Sequence, residues 1–129
     1  MGLHISTASR TPIYQQLAQQ IREAIARGEL QPETNLPSVR QLSRELVINP
    51  NTVARAYRQL QDDGVLDAVR GTGLTVAPAA RRQCQIERTK LIRVRLRRVL
   101  EEATQSGLEP TEIEQIIRAE LIAVRKQKP

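Results

Sequence analysis

Ile48-Asn49-Pro50-Asn51 limits what this chain can fold into more than any other four residues, because it must end one helix and begin another. Pro50 has no backbone N–H and its ring clashes with a preceding helical turn, yet its fixed φ suits the first turn of a new helix. Asn49 supplies a side-chain oxygen to cap that helix. Upstream, Ser38 is placed to cap a helix whose core side carries Leu42 and Leu46. Downstream, the new helix runs to about Asp63, with Val53, Tyr57 (or Ala56) and Leu60 inward and Asn51, Thr52, Arg55, Arg58 and Gln59 outward. Gly64 closes it.

The flanking segments complete a pattern. Over 11–27, Ile13, Leu17, Ile21 and Ile25 recur every four residues and draw one stripe along a helix. Thr11 is expected as its N-cap, Pro12 at the first helical position and Gly28 at its end. Residues 31–37 hold two prolines and no periodicity, so they read as a connecting loop. Over 65–77, two short β-prone runs flank Arg70-Gly71-Thr72-Gly73, predicting a hairpin with a glycine-rich, basic turn. Two helices about a tight break, the second beginning with small polar residues and followed by a basic hairpin, describe a winged helix-turn-helix.

Residues 1–10, with the single histidine His4, are expected to be a flexible N-terminus, and Pro78-Ala79-Ala80 a linker closing the 11–77 domain. Beyond it, 81–129 forms a helical arm, with helices over 81–105 and 110–126 joined by Ser-Gly-Leu-Glu-Pro. Ile92, Leu96, Val99 and Ala103 make an apolar seam on the first, and Ile113, Ile117, Leu121 and Val124 one on the second. Leu91, Val94, Leu100, Ile116 and Ile122 lie outside those seams. A two-helix hairpin would leave much apolar surface in water unless another chain covered it, and a second copy is the simplest cover. Ile92, Leu96, Val99, Ile113, Ile117 and Leu121 are therefore the expected dimerisation residues. The fold class is mainly α: three helices and a β-hairpin wing, then a two-helix dimerisation arm.

Composition narrows the chemistry. The chain has no Phe or Trp and two Tyr, so its core must be aliphatic and small. One Cys and one His leave no zinc ligand set and no catalytic dyad, so no metal, cofactor or enzymatic activity is expected. Cys84 suits a reducing compartment, and no run approaches the roughly 20 apolar residues of a membrane span, so a soluble, cytoplasmic protein is expected. Twenty basic against fourteen acidic side chains make nucleic acid a default partner. Up to residue 77 eight Arg face seven acids, whereas afterwards twelve Lys or Arg face seven, so most of the excess lies in the arm.

Three segments, PIYQQLAQQIREAIARGEL, LPSVRQLSRELVINPNTVARAYRQL and DDGVLDAVRGTGLTV, carry a resemblance to the GntR family of bacterial regulators, and within it to its YtrA-like branch. The likeness covers residues 12–77 as ordered blocks: first helix, Leu-Pro-Ser lead-in, Asn-Thr-Val core, the glycine before the wing, and an Arg-Gly-x-Gly tip. It implies a homodimeric repressor of double-stranded DNA with an inverted-repeat operator. Ser38 would grip phosphate, Arg40 phosphate or a guanine edge, and Asn49, Asn51, Thr52 and Arg55 would face the groove, Arg55 as a bidentate guanine reader. Arg58 would clamp phosphate, and Arg70 and Gly71 would make the wing contact. A small-molecule effector in the arm is left open. Glu33 stands where many relatives have Gly, and Pro50 and Ala54 stand where a better-known branch has arginines.

Blander readings exist for each. Ser38 and Asn49 would be chosen as caps without DNA, Arg40 and Arg58 could be solvated, and Tyr57 reads as core. The run Arg88, Lys90, Arg93, Arg95, Arg97 and Arg98 reads as a solvated helix face before a DNA contact, and little beside Cys84 suggests a redox switch. The functional alternative is a winged-helix protein-interaction adaptor or a non-specific DNA-coating protein.

Overall fold

In the computed structural model, which describes residues 2–127, the order is α1 (Ile13–Ala26), α2 (Val39–Leu46), α3 (Pro50–Asp62), β1 (Leu66–Val69), β2 (Gly73–Val76), α4 (Ala80–Gln105) and α5 (Pro110–Gln127). The chain divides into two compact units, residues 1–88 and 89–129. In the first, α3 packs on both α1 and α2 and leads into the antiparallel β1–β2 hairpin. Leu17, Ile21, Ile25, Val53, Ala56, Leu60 and Val65 have no accessible surface, and Tyr57 joins them as a core residue. Truncating one of the large aliphatic side chains to Ala removes about 2–5 kcal/mol.

The break at 48–51 works as local chemistry demands. Asn49 Oδ1 accepts from the Asn51 N–H at 2.8 Å with Pro50 in the first turn of α3. Ser38 forms a complete capping box: its Oγ accepts from the Gln41 N–H, and Gln41 Oε1 accepts from the Ser38 N–H. At the start of α1 the expected cap is displaced. Pro12, not Thr11, holds the capping position, its carbonyl accepting from Gln15 and Gln16, while the Thr11 carbonyl accepts from Gln16 Nε2. Proline's fixed φ defines this terminus without a side-chain cap.

Three further segments show detail that the sequence does not. The N-terminal segment, expected to be flexible, lies along α1, where two glutamines four residues apart bond to it. Gln20 Oε1 accepts from the His4 N–H at 2.7 Å and its Nε2 donates to the His4 carbonyl; Gln16 does the same for Ser6 at 2.9 Å each way. Leu3 and Ile5 pack against the core from this strap. The 31–37 loop is also more ordered than its prolines suggest. Leu36 N donates to Leu74 O, Glu33 N to Val76 O and Val76 N to Thr34 O, so it runs beside β2 as a third, irregular strand.

Finally, the first compact unit ends at Arg88, past the linker expected at 78–80. Ala80 and Cys84 are buried in the N-terminal core, and Gln83 and Gln85 donate to the carbonyls of Asp63 and Ala26. These bonds satisfy acceptors that helix ends leave open. Arg22 on α1 pairs with both Asp63 and Glu87, adding charge to the same junction.

In the second unit, α4 and α5 make no extended contact. Ile92, Leu96, Val99 and Leu121 are about half exposed or more, as are Val94, Ile116 and Ile122, whereas Ile113 and Ile117 are half-buried. Apolar groups lie on more than one face of each helix and stay accessible in the single chain. No described helix is long and apolar enough to cross a membrane.

Candidate nucleic-acid interface

The helix-turn-helix is α2 and α3. Their mutual orientation is fixed by core packing and by Tyr57, whose Oη donates to the Pro37 carbonyl at 2.7 Å, tying the middle of α3 to the lead-in of α2. Burial and the nearby Glu45 charge push the Tyr57 phenol above its ordinary range, so at neutral pH it is a hydrogen-bond donor in the core.

The two cap residues, Ser38 and Asn49, are exposed at the starts of α2 and α3. Each spends its side-chain oxygen on the backbone, so the cap function holds whatever else these residues touch. Arg40, Asn51, Arg55 and Arg58 are exposed, and Thr52 is half-buried. Asn51, Thr52 and Arg55 come together with Ile13 and Tyr14 of α1 around an open depression of about 370 Å³. Arg70 and Gly71 sit in the exposed three-residue turn between Val69 and Gly73. Gly71 has φ +80°, where a side chain would be strained, and no atom lies within 4 Å of where its Cβ would stand.

Few of the cations are paired within the chain. Among the described residues, ion pairs form at Arg22 (with Asp63 and Glu87) and Arg27 (with Glu29), all away from α2, the outer face of α3 and the wing tip. Arg40, Arg55, Arg58 and Arg70 make none. Unpaired guanidiniums on a helix-turn-helix and a wing have their donors free for phosphate or base edges.

Tyr14 went unread at the sequence level. Its ring lies beneath the Arg55 guanidinium, 3.8 Å from Cζ to centroid. The only signal was an aromatic in the first turn of α1 in a chain with two; that it meets α3 is a property of the α1–α3 packing. Cys84 moves the other way. It is buried, and that burial, with Glu87 nearby, pushes its thiol up rather than toward a reactive thiolate. No cluster of metal-ligating side chains occurs among the described residues.

Comparison with known proteins agrees with this architecture. The family described as bacterial regulatory proteins, gntR family, matches residues 13–76. The transcriptional repressor YtrA of Bacillus subtilis (strain 168) is 32% identical over 116 residues, which cover 90% of this chain and 89% of that protein. A transcriptional regulator from Oenococcus oeni has a crystal structure that superposes with a TM-score of 0.79 at 28% identity, covering 91% of this chain and 97% of that one. The DBD of AraR in complex with operator ORE1 superposes with a TM-score of 0.50 at 25% identity, covering 60% of this chain and 94% of that one. These relatives are regulators rather than enzymes. The helix-turn-helix, the wing and the likeness over nearly the whole chain place this protein in the gntR family of bacterial transcriptional regulators, with YtrA-like proteins as its kin.

Proposed function

We propose that this regulator is a homodimeric, cytoplasmic transcriptional repressor that binds an inverted-repeat operator in double-stranded DNA. The observation that carries the reading is that Arg40, Arg55, Arg58 and Arg70, exposed on the helix-turn-helix and wing, enter no ion pair among the described residues. Asn51, Thr52 and Arg55 at the start of α3 read base edges in the major groove, Arg55 by a bidentate pair to guanine. Ser38, Asn49 and the free N–H groups beside them, with Arg40 and Arg58, hold phosphate; Arg70 and Gly71 place the wing against the backbone or minor groove. The resemblance to a repressor over nine-tenths of the chain supports repression by occlusion of a promoter.

Dimerisation through Ile92, Leu96, Val99, Ile113, Ile117 and Leu121 sets the spacing of the two winged domains. An effector acting on the arm would work by changing that spacing. The test is binding to the DNA upstream of the protein's own gene and the neighbouring operon, with salt varied and Arg55→Ala alongside. Tight binding to one inverted-repeat segment, lost selectively in Arg55→Ala, supports the reading. Equal, salt-sensitive binding of all fragments by both proteins leaves a DNA-coating or adaptor protein instead.

A further inference from the structure

We propose that Tyr14 is the positioning residue of DNA recognition: it stacks beneath Arg55 and aims the guanidinium edge at the base it reads. The proposal rests on the base-reading role of Arg55 and adds a residue on a different helix to it. An arginine on an exposed helix face has several long rotamers of similar energy and loses that freedom when it binds. Arg55 has no acidic partner among the described residues, and the Tyr14 ring 3.8 Å below Cζ is the contact that organises it.

The geometry suits presentation rather than storage. A ring takes the flat face of a guanidinium and leaves the N–H groups around its edge free, and those are the donors of a bidentate guanine contact. Tyr14 is itself held: it is half-buried, packs against the core, and its Oη accepts from Gln15 Nε2 at 3.0 Å. The depression beside the stack is walled by Asn51 and Thr52, so the edge of Arg55 and the polar start of α3 face one space. Because Tyr14 supplies a π-face and not a charge, Phe should replace it and an aliphatic residue should not.

The experiment uses the full chain and duplexes selected from a random pool by the wild-type protein, each G·C pair then being changed in turn. Wild type, Tyr14→Phe, Tyr14→Leu, Arg55→Ala and the Tyr14→Leu/Arg55→Ala double variant are compared. In parallel, ¹⁵N relaxation of the Arg55 Nε–H is measured in DNA-free wild type and Tyr14→Leu. Tyr14→Phe should keep wild-type discrimination. Tyr14→Leu should lose about two- to fivefold of it, the ratio that an exposed cation–π contact corresponds to, at the G·C pair that Arg55→Ala also flattens. The double variant should lose no more than Arg55→Ala, and the Arg55 side chain should become more mobile in Tyr14→Leu.

Equal weakening on every duplex, or full additivity with Arg55→Ala, would overturn the positioning role and make Tyr14 a packing or phosphate residue. Tighter binding by Tyr14→Leu would also overturn it, showing that the stack stores Arg55. If Arg55→Ala leaves every base preference intact, the base-reading assignment fails first, and the relaxation data still decide whether the stack exists. Should Tyr14→Leu melt well below wild type, Tyr14→Met, which fills similar volume without a π-face, carries the same expectations.

Discussion

The Tyr57 hydroxyl donates to the carbonyl of Pro37, 20 residues earlier, and so clamps α3 to the lead-in of α2 at 2.7 Å. Tyr57→Phe keeps the ring volume but strands that carbonyl in a half-buried place, a loss of about 1–3 kcal/mol. Denaturant unfolding with an unchanged m-value checks it, and a midpoint equal to wild type would show that water replaces the hydroxyl.

The same residue predicts how the fold meets alkali. Its folded-state phenol is raised above the ordinary value of 10.0, by burial first and the Glu45 charge second. The folded protein thus holds this proton more tightly than the unfolded chain, so the contribution is unchanged below pH 10 and stability falls as pH rises beyond it. In a Tyr14→Phe background Tyr57 is the sole tyrosine, and its phenolate absorbance should rise together with loss of helical circular dichroism. Ionisation near pH 10 with the helices intact would contradict its burial.

Among the described residues, two sit where side chains are strained. Val47, at the C-terminus of α2, has φ +54° and is 89% exposed; Glu33 has φ +66° in the loop beside β2. A β-branched residue in the left-handed region loses about 1–2 kcal/mol, with no buried contact at Val47 to offset it. Val47→Asn should therefore raise stability by about 1 kcal/mol, and Glu33→Gly by somewhat less, since glycine gives back part of the gain as unfolded-state entropy. Thermal unfolding of both variants tests this. A lower midpoint for Val47→Asn would mean that the exposed valine has a packing role that the strain argument misses.

What the sequence discloses here follows from how local the chemistry is. The caps at Ser38 and Asn49, the break at Pro50 and the glycine-rich turn each depend on neighbouring residues, and each is legible; Glu33 stands out only through the family resemblance. Residues whose partners are distant in sequence are not. Gln16 and Gln20 look like a solvated helix face until a strap from residues 4–6 is laid against them, and Ala80 and Cys84 look like the start of an arm until α4 is seen to begin inside the core. Tyr14 is silent for the same reason, its partner lying on α3.

The strap itself is testable by hydrogen exchange. The His4 and Ser6 amides donate to Gln20 and Gln16 in an otherwise exposed segment. Each such bond is worth about 0.5–1.5 kcal/mol, so Gln20→Ala should speed exchange at His4 by roughly two- to tenfold and Gln16→Ala should do so at Ser6. Exchange as fast in wild type as in an unstructured peptide would return this segment to the loose terminus that its composition suggests.

The arm predicts a separable defect. Leu96 and Leu121 are each about half exposed and belong to no part of the N-terminal core. Leu96→Glu with Leu121→Glu places charge on both seams, so if the proposed homodimer forms through them, sedimentation should show a dimer for the wild type and a monomer for the variant while the N-terminal unit keeps its melting transition. Equal sedimentation of the two proteins would overturn dimerisation through these seams.

The wing provides the last contrast, between a residue that contributes charge and one that contributes shape. Arg70 is exposed and makes no ion pair among the described residues, so Arg70→Ala should leave stability within about 0.5 kcal/mol, weaken binding of all duplexes alike and reduce the slope of log affinity against log salt by about 1. Gly71→Ala meets no neighbouring atom in the free protein, so its cost there is backbone strain alone, about 1 kcal/mol. In the proposed complex the added methyl would stand where the turn approaches the DNA backbone, so affinity should fall while the salt slope is unchanged. A salt slope altered by Gly71→Ala and untouched by Arg70→Ala would mean that the wing tip faces away from the phosphates.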